Sequence, residues 1–175
     1  MKNLLSIQEK MKFKNIGIGK KPILTFILIF CSVFFLHAQQ IKEVDDFFKE
    51  NGIGNEDQLY KLVYGAVPTI YISNNSKVNS SESSPLKLSV DASSVVALND
   101  FDESYGTVKI IKIKISDASQ LASFSLQPSF FKGFTNLNYL YILSEVPMSL
   151  QDVSRISSAL ADTGFMIFYK VAIPQ

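Results

Sequence analysis

The segment KGFTNLNYLYIL, residues 132–143, contains a short apolar pattern that organises the interpretation of the whole chain. Leu137, Leu140 and Ile142 occupy the first, fourth and sixth positions of this pattern. The same spacing recurs in two upstream triplets: Val67, Ile70 and Ile72, then Val108, Ile111 and Ile113. Apolar residues at alternate positions are typical of a β-strand with one buried face. The recurrence predicts several similar strands that share one core.

The predicted strands are separated by segments that are long enough to hold a helix. Val108 and Leu137 are 29 positions apart, and Leu137 and Phe165 are 28 positions apart. Connections of this length favour parallel neighbouring strands joined by crossovers. The longer interval from Val67 to Val108 is interpreted as the same unit enlarged by a Ser/Asn-rich loop at 73–84, and a further short strand is predicted at 86–90. We therefore expect an α/β fold, with a small, mostly parallel sheet and helices on one face.

The spacing of the triplets resembles the leucine-rich-repeat pattern L-x-x-L-x-L-x-x-N. The first triplet matches it in full, with Asn75 in the last place, whereas Ser116 and Glu145 replace the asparagine in the next two. In the last unit Phe165 and Phe168 match, and Lys170 breaks the third apolar place. The resemblance implies a short, degenerate leucine-rich-repeat-like unit; the alternative is an ordinary α/β or α+β sandwich with similar strands.

Residues 1–38 have the organisation of a secretory signal peptide. A basic region precedes the uncharged apolar run at 22–36, and the small residue Ala38 follows. The run is shorter than the roughly 20 residues that span a bilayer, so cleavage is expected and a retained membrane anchor is the alternative. Met11 competes with Met1 as the start. The bulky residue before Cys31 argues against lipid attachment, and we expect an exported protein, periplasmic or extracellular.

The composition after the leader excludes several classes of function. The leader carries six lysines and one glutamate, which leaves 11 basic and 15 acidic residues from Gln39 onward. This acidic balance, with Arg155 as the single arginine, disfavours nucleic acid as a partner. The same part contains no Cys, His or Trp, which excludes histidine acid–base chemistry, cysteine nucleophiles and the usual zinc sites. We expect no cofactor and no enzymatic activity.

Two regions outside the triplets are predicted to be helical. Residues 39–65 form an N-terminal helical segment, in which Ile41, Val44, Phe47 and Phe48 have helical spacing and glycines follow. We expect this segment to cover one end of the sheet that residues 66–175 form. The helix over 149–163 begins with a capping box made by Ser149 and Asp152.

The side chains between the apolar positions of each strand supply the candidate binding residues. They should point to the face opposite the core, and several are tyrosines joined by a lysine. The candidates are Tyr71, Lys112, Tyr139, Tyr141 and Tyr169. Tyrosine offers a large contact area with a polar tip, so an exposed row would suit recognition of a partner. The alternative is that helices cover these tyrosines, which would make them part of a second core.

A second candidate site is the acidic segment that contains Asp100, Asp102 and Glu103. Closely spaced carboxylates can hold calcium, although the glycine of an EF-hand loop is missing and Tyr105 stands in its place. We interpret the segment as a solvated loop.

The functional hypothesis is thus an exported, non-enzymatic binding or accessory module that contacts a protein, peptide or glycan through a Tyr-rich sheet face. Membrane contact is expected only through the signal segment, if that segment is not cleaved. The alternative is a carboxylate-based metal-binding protein or hydrolase.

Overall fold

Seven strands form one sheet in the computed structural model, which describes residues 41–74, 76–100 and 102–175. The strands are β1 (Ile41–Glu43), β2 (Thr69–Ser73), β3 (Ser76–Asn79), β4 (Lys87–Asp91), β5 (Ile110–Ile115), β6 (Tyr139–Ser144) and β7 (Met166–Val171). The helices are α1 (Val44–Asn51), α2 (Gln58–Tyr64), α3 (Ala118–Ser123) and α4 (Leu150–Ser157). Short 3-10 helices lie at Ala92–Asn99, Glu103–Thr107, Pro128–Phe131 and Ser158–Leu160.

The strand order is β1-β7-β6-β5-β4-β2-β3, and every pair is parallel except β2 with β3. From β4 to β7, strands that follow one another along the chain also lie side by side. The predicted α/β fold with a mostly parallel sheet is therefore confirmed. The signal peptide expected at 1–38, with its alternative start and Cys31, lies outside the described residues. No helix in the described part is long and apolar enough to cross a membrane.

An in-register row of aliphatic side chains crosses the parallel strands. The row consists of Ile41, Ile167, Leu140, Ile111, Leu88 and Ile70. All except the edge residue Ile41 are fully buried. They belong to the main core, which the 3-10 helices and α4 cover from one side. We call this side of the sheet the main face and the opposite side the second face.

The parallel strand β4 confirms the short strand predicted at 86–90, which the triplet pattern itself does not include. The long interval from Val67 to Val108 is not an enlarged loop, because it contains β3 and β4. The segment 73–84 begins with a hairpin, in which Asn74 adopts the left-handed region with φ 49° and β3 returns antiparallel to β2. The interpretation of this segment as a loop alone was wrong, because the hydrogen bonds to β2 stabilise a polar strand that has no apolar pattern.

The last repeat unit was placed one residue out of register. Phe165 and Phe168 were expected to face the core with the other triplets. Phe165 does pack against the main core, but Ile167 and not Phe168 pairs with Leu140 and points to the main face. Phe168 points to the second face and packs in a separate cluster. Because side chains alternate along a strand, this shift of one residue also reverses the direction of Tyr169.

Helices lie on both faces, not on one. The crossover elements pack on the main face as expected, whereas α1 and α2 cover part of the second face. The prediction of a helical N-terminal segment is confirmed for these two helices, but its first residues form β1 beside β7. Helix α1 ends at Gly52, whose φ of 64° requires the left-handed conformation that glycine adopts freely. The capping box of Ser149 and Asp152 is present at α4.

The central row should dominate stability. Leu140→Ala removes a fully buried side chain from the row and leaves a cavity, so we expect the free energy of unfolding to fall by about 3 kcal/mol. Leu150→Ala is the matched control, because Leu150 is 53% exposed and its loss should cost under about 0.5 kcal/mol. Urea denaturation of both variants measures the difference. Equal losses would show that the row is not the stabilising centre.

Candidate functional site

The second face is divided into a covered half and an open half. The covered half lies on β6 and β7, where α1 and α2 enclose a second core. This core consists of Val44, Phe48, Leu62, Val63, Ile110, Tyr141 and Phe168. We define the open half by the second-face side chains Tyr71, Ser73, Val78, Ser89, Asp91 and Lys112, which are exposed or half-buried. The two halves meet at β5, where Ile110 belongs to the second core and Lys112 does not.

The five predicted binding residues do not form one surface. Tyr71 is 50% exposed, Lys112 and Tyr139 are half-buried, and Tyr141 is only 3% exposed. Tyr169 lies on the main face and packs against the main core. The predicted contiguous row of exposed tyrosines is therefore wrong. Tyr141 is covered by helices and belongs to a second core, as the alternative interpretation expected. Tyr169 lies on the main face because β7 is shifted by one residue from the expected register.

Aromatic packing under α1 explains why the β6 tyrosines are covered. The ring centroids of Phe47 and Phe168 are 5.1 Å apart, and those of Phe48 and Phe168 are 6.2 Å apart. The Tyr139 ring stacks on Phe168 at 6.0 Å. The apolar stripe of α1 therefore packs against the apolar side chains that β6 and β7 present on the second face. Burial raises the pKa of Tyr141 above the ordinary tyrosine value.

Lys87 fixes the boundary between the two halves. Its side chain is buried on β4, and its ammonium donates hydrogen bonds to the carbonyl oxygens of Val63 (3.3 Å) and Gly65 (3.2 Å) at the end of α2. Burial, with a smaller contribution from Lys112, lowers the pKa of Lys87 to about 8. Because the neutral amine can donate these hydrogen bonds as well as the ammonium, Lys87 attaches α2 to the sheet in either protonation state.

A cluster of charged and phenolic groups closes the outer rim of the covered half. Lys170 lies 2.7 Å from the Asp45 carboxylate, and the Tyr64 hydroxyl donates a hydrogen bond to the same carboxylate. Burial alone would raise the pKa of Asp45, but the hydrogen bonds from Lys170 and Tyr64 outweigh it and lower the pKa. These contacts join α1 and α2 to β7, so we assign the cluster a structural role.

The open half presents one aromatic ring and one aliphatic side chain on neighbouring strands. Val78 on β3 stands directly opposite Tyr71 on β2 and is 61% exposed. The same row continues through Ser89 to Lys112. With strands about 4.8 Å apart, the row from Val78 to Lys112 spans roughly 14 Å. Sequence reasoning missed Val78 because it lies between polar residues; its only signal was the Asn74–Asn75 pair, a turn-forming dipeptide that could start a hairpin.

Lys112 is the positive charge within this row. Its ammonium lies 6.0 Å from the centroid of the Tyr141 ring, and no carboxylate forms an ion pair with it among the described residues. Burial and the neighbouring Lys114 lower the pKa of Lys112. Lys114 differs, because its ammonium is held 3.0 Å from Glu145. Lys112 is therefore available to meet an anionic group of a partner.

Asp91 supplies the acidic group of the open half. The Ser73 hydroxyl donates a hydrogen bond of 2.5 Å to its carboxylate, and Lys114 stands opposite it on β5. The open half thus combines a tyrosine ring, an aliphatic side chain, two serine hydroxyls and charges of both signs. Such a mixture suits non-covalent recognition of a partner surface.

The acidic segment does not assemble a metal site in the part of the chain that the structure describes. Asp102 caps the following 3-10 helix through the Ser104 backbone N–H, and its carboxylate forms an ion pair with Lys77. The hydrogen bonds from Lys77 and Ser104 lower the pKa of Asp102 to about 2. No group of three or more Asp, Glu, His or Cys side chains that could hold a metal ion occurs among these residues. Asp100 and Glu103 therefore do not join Asp102 as ligands.

A shallow pocket of about 310 Å³ lies away from the sheet face. Its lining residues are Leu98, Asn99, Ser129, Lys132 and Gly133. Its polar groups are the Ser129 hydroxyl, the Asn99 amide and the Lys132 amine, and no carboxylate, thiol or imidazole is among the lining residues.

Comparison of the chain with protein-family models, curated proteins and solved structures gives no match.

The attachment of α2 predicts a specific pH dependence. The pKa of Lys87 is about 8 in the folded protein and 10.5 in an exposed lysine, so the unfolded chain binds more protons between these values. The contribution of Lys87 to the free energy of unfolding should therefore increase as the pH rises through this interval. Urea denaturation at pH 7 and pH 10 should show wild type gaining stability relative to Lys87→Met. Lys132→Met, at an exposed position, should show no relative change, and a relative loss for wild type would contradict the assignment.

The rim cluster predicts an effect in the acidic range. At pH 7, Asp45→Asn should lower the free energy of unfolding by about 0.5 kcal/mol more than Asp46→Asn, which lies in the same first turn but has no contact with Lys170. The lowered pKa means that Asp45 contributes above pH 3.8 and that this contribution disappears as the carboxylate is protonated. Denaturation at pH 3 should show a smaller difference between the two variants. A difference that is constant with pH would assign the effect to something other than the ion pair.

Proposed function

We propose that this protein is an exported, non-enzymatic binding or accessory module that contacts a polypeptide partner through the open half of its sheet. The observation that carries the proposal is the pair of large side chains on adjacent strands, Tyr71 and Val78, both at least half exposed on the half of the second face that the helices leave open. Export is proposed from the leader at 1–38 and its expected cleavage after Ala38.

The shape of the open half supports a macromolecular partner over a small molecule. Small ligands are usually bound in concave pockets that bury most of their surface, whereas this face is part of a sheet. Tyrosine is enriched in protein interfaces because its ring is rigid and its hydroxyl is polar. Lys112 and Asp91 add one charge of each sign at the side of the apolar pair. A partner with an exposed carboxylate opposite Lys112 and an apolar side chain opposite Tyr71 fits this arrangement.

The carboxylate-based alternative has no support from the geometry. A hydrolase that uses two carboxylates needs them to face each other across a cleft. Asp102 is occupied by Lys77 and Ser104, and Asp91 by Ser73. We therefore do not propose a metal-dependent or hydrolytic reaction.

A comparison of two double variants tests the proposal. The baits are the chain from Gln39 to Gln175 in three forms: wild type, Tyr71→Ser with Val78→Ser, and Val96→Ser with Leu150→Ser. The variant with Val96→Ser and Leu150→Ser is the matched control. Val96 is 63% exposed, and both Val96 and Leu150 lie outside the open half. Each bait is incubated with secreted and envelope proteins, and captured proteins are quantified by mass spectrometry.

We expect at least one protein whose recovery falls 10-fold or more with the open-half variant and is unchanged with the control, since truncating a buried interface side chain often costs over about 1 kcal/mol. Equal recovery with all three baits would rule out this surface. If wild type bound to a glycan array and the Tyr71→Ser, Val78→Ser variant did not, the partner would be a glycan and not a polypeptide.

A further inference from the structure

Strand β3 leaves one backbone edge of the sheet unpaired. The Ser80 N–H donates 2.9 Å to the Thr69 carbonyl, which continues the register of β2 and β3. Because bonded and non-bonded pairs alternate in an antiparallel ladder, Val78 and Ser76 direct their backbone groups to β2. The N–H and C=O groups of Lys77 and Asn79 then point away from the sheet. All four residues of β3 are exposed, and no other described strand pairs with this edge.

The usual protection of such an edge is absent. Exposed lysines on an edge strand normally discourage pairing with another chain. Here the Lys77 side chain is drawn over the main face, where its ammonium pairs with Asp102 and lies 4.7 Å from the centroid of the Tyr105 ring. The edge from Ser76 to Asn79 therefore carries no unpaired charge. Two such edges can approach each other without electrostatic repulsion.

We infer that β3 pairs antiparallel with β3 of a second copy of this chain, about a two-fold axis that passes beside Val78. In this register Lys77 stands opposite the partner's Asn79, and Asn79 opposite the partner's Lys77. Both pairs use the outward-pointing backbone groups, which gives four hydrogen bonds across the axis. Val78 meets the partner's Val78 at the non-hydrogen-bonded position, where side chains come closest.

The exposed apolar side chains select this register. Tyr71 and Val78 are adjacent on the second face, so the pairing places Tyr71, Val78, the partner's Val78 and the partner's Tyr71 in one apolar row. A register centred on Lys77 would instead place Val78 opposite the partner's Ser76 and so separate the two valines. A register centred on Asn79 would separate the two valines. Only an axis at Val78 places the two Val78 side chains opposite each other and Lys77 opposite the partner's Asn79.

The size of the contact predicts a weak, concentration-dependent dimer. A four-residue strand pair buries less than the roughly 1,200–2,000 Å² of stable interfaces, so we expect a dissociation constant on the order of 100 μM. The dimer does not depend on the proposed partner. It joins two open halves into one continuous surface, which would let two weak contacts act together on a partner with repeated binding sites.

Sedimentation velocity of the chain from Gln39 to Gln175 tests the inference, since both cores consist of residues within this segment. Between about 10 μM and 1 mM the protein should shift from monomer to dimer. Asn79→Pro removes an outward N–H without removing a bond to β2, and should weaken the dimer at least 10-fold. Asn79→Ala keeps that N–H and should dimerise like wild type. Circular dichroism and thermal melting confirm that each variant is folded.

Two substitutions at Val78 test the position of the axis. Val78→Lys places two like charges together and should abolish the dimer, whereas Val96→Lys, at an equally exposed valine, should not. Val78→Cys should form an intermolecular disulfide on mild oxidation, because directly opposed residues lie within disulfide range. Val96→Cys is the control, and the segment contains no other cysteine. The inference is overturned by a monomer throughout the concentration range, or by a dimer that is insensitive to both Asn79→Pro and Val78→Lys.

Discussion

The row of buried aliphatic side chains from Ile70 through Leu88, Ile111 and Leu140 to Ile167 is the interaction on which the rest of the structure depends. Each strand contributes one branched or bulky side chain at the same height, so a slip of one strand by one residue would turn its side chain to the opposite face. The crossovers must return to the same side to cover the row. This requirement places the 3-10 helices and α4 on the main face and leaves the second face for other contacts.

The second face is closed only as far as the N-terminal helices reach. Phe47 and Phe48 of α1 meet Phe168, and Lys87 holds the end of α2 at the fourth strand. Beyond that point nothing in the described chain covers Tyr71 and Val78. The asymmetry therefore follows from the length of two short helices. The proposed partner surface and the proposed dimer edge both lie on the uncovered side. Val78 belongs to both, but only the dimer also uses the outward-pointing backbone groups of β3.

Sequence reasoning recovered part of the candidate site. The alternation rule correctly placed Tyr71, Lys112 and Tyr139 on the second face, because their strands carry a clear apolar period. It placed Tyr169 on the wrong face, because β7 is apolar on both sides and its period gives no direction. The burial of Tyr141 was one of two alternatives that the sequence left open, since exposure depends on where α1 packs. Val78 had no apolar pattern around it and only the Asn74–Asn75 pair as a local signal, because β3 is a strand only through its hydrogen bonds to β2.

The amino-acid sequence by itself determined the fold class, the α4 capping box and the lack of histidine and cysteine in residues 39–175, since each depends on local spacing or on composition. Tertiary structure decided the rest. It inserted β4 between β2 and β5, ordered β1 beside β7 and divided the second face into covered and open halves. These features arise from contacts between residues far apart in the chain, such as Ile41 with Ile167 and Lys87 with Gly65. Local periodicity shows which side chains must be buried, but it does not show which surface will bury them.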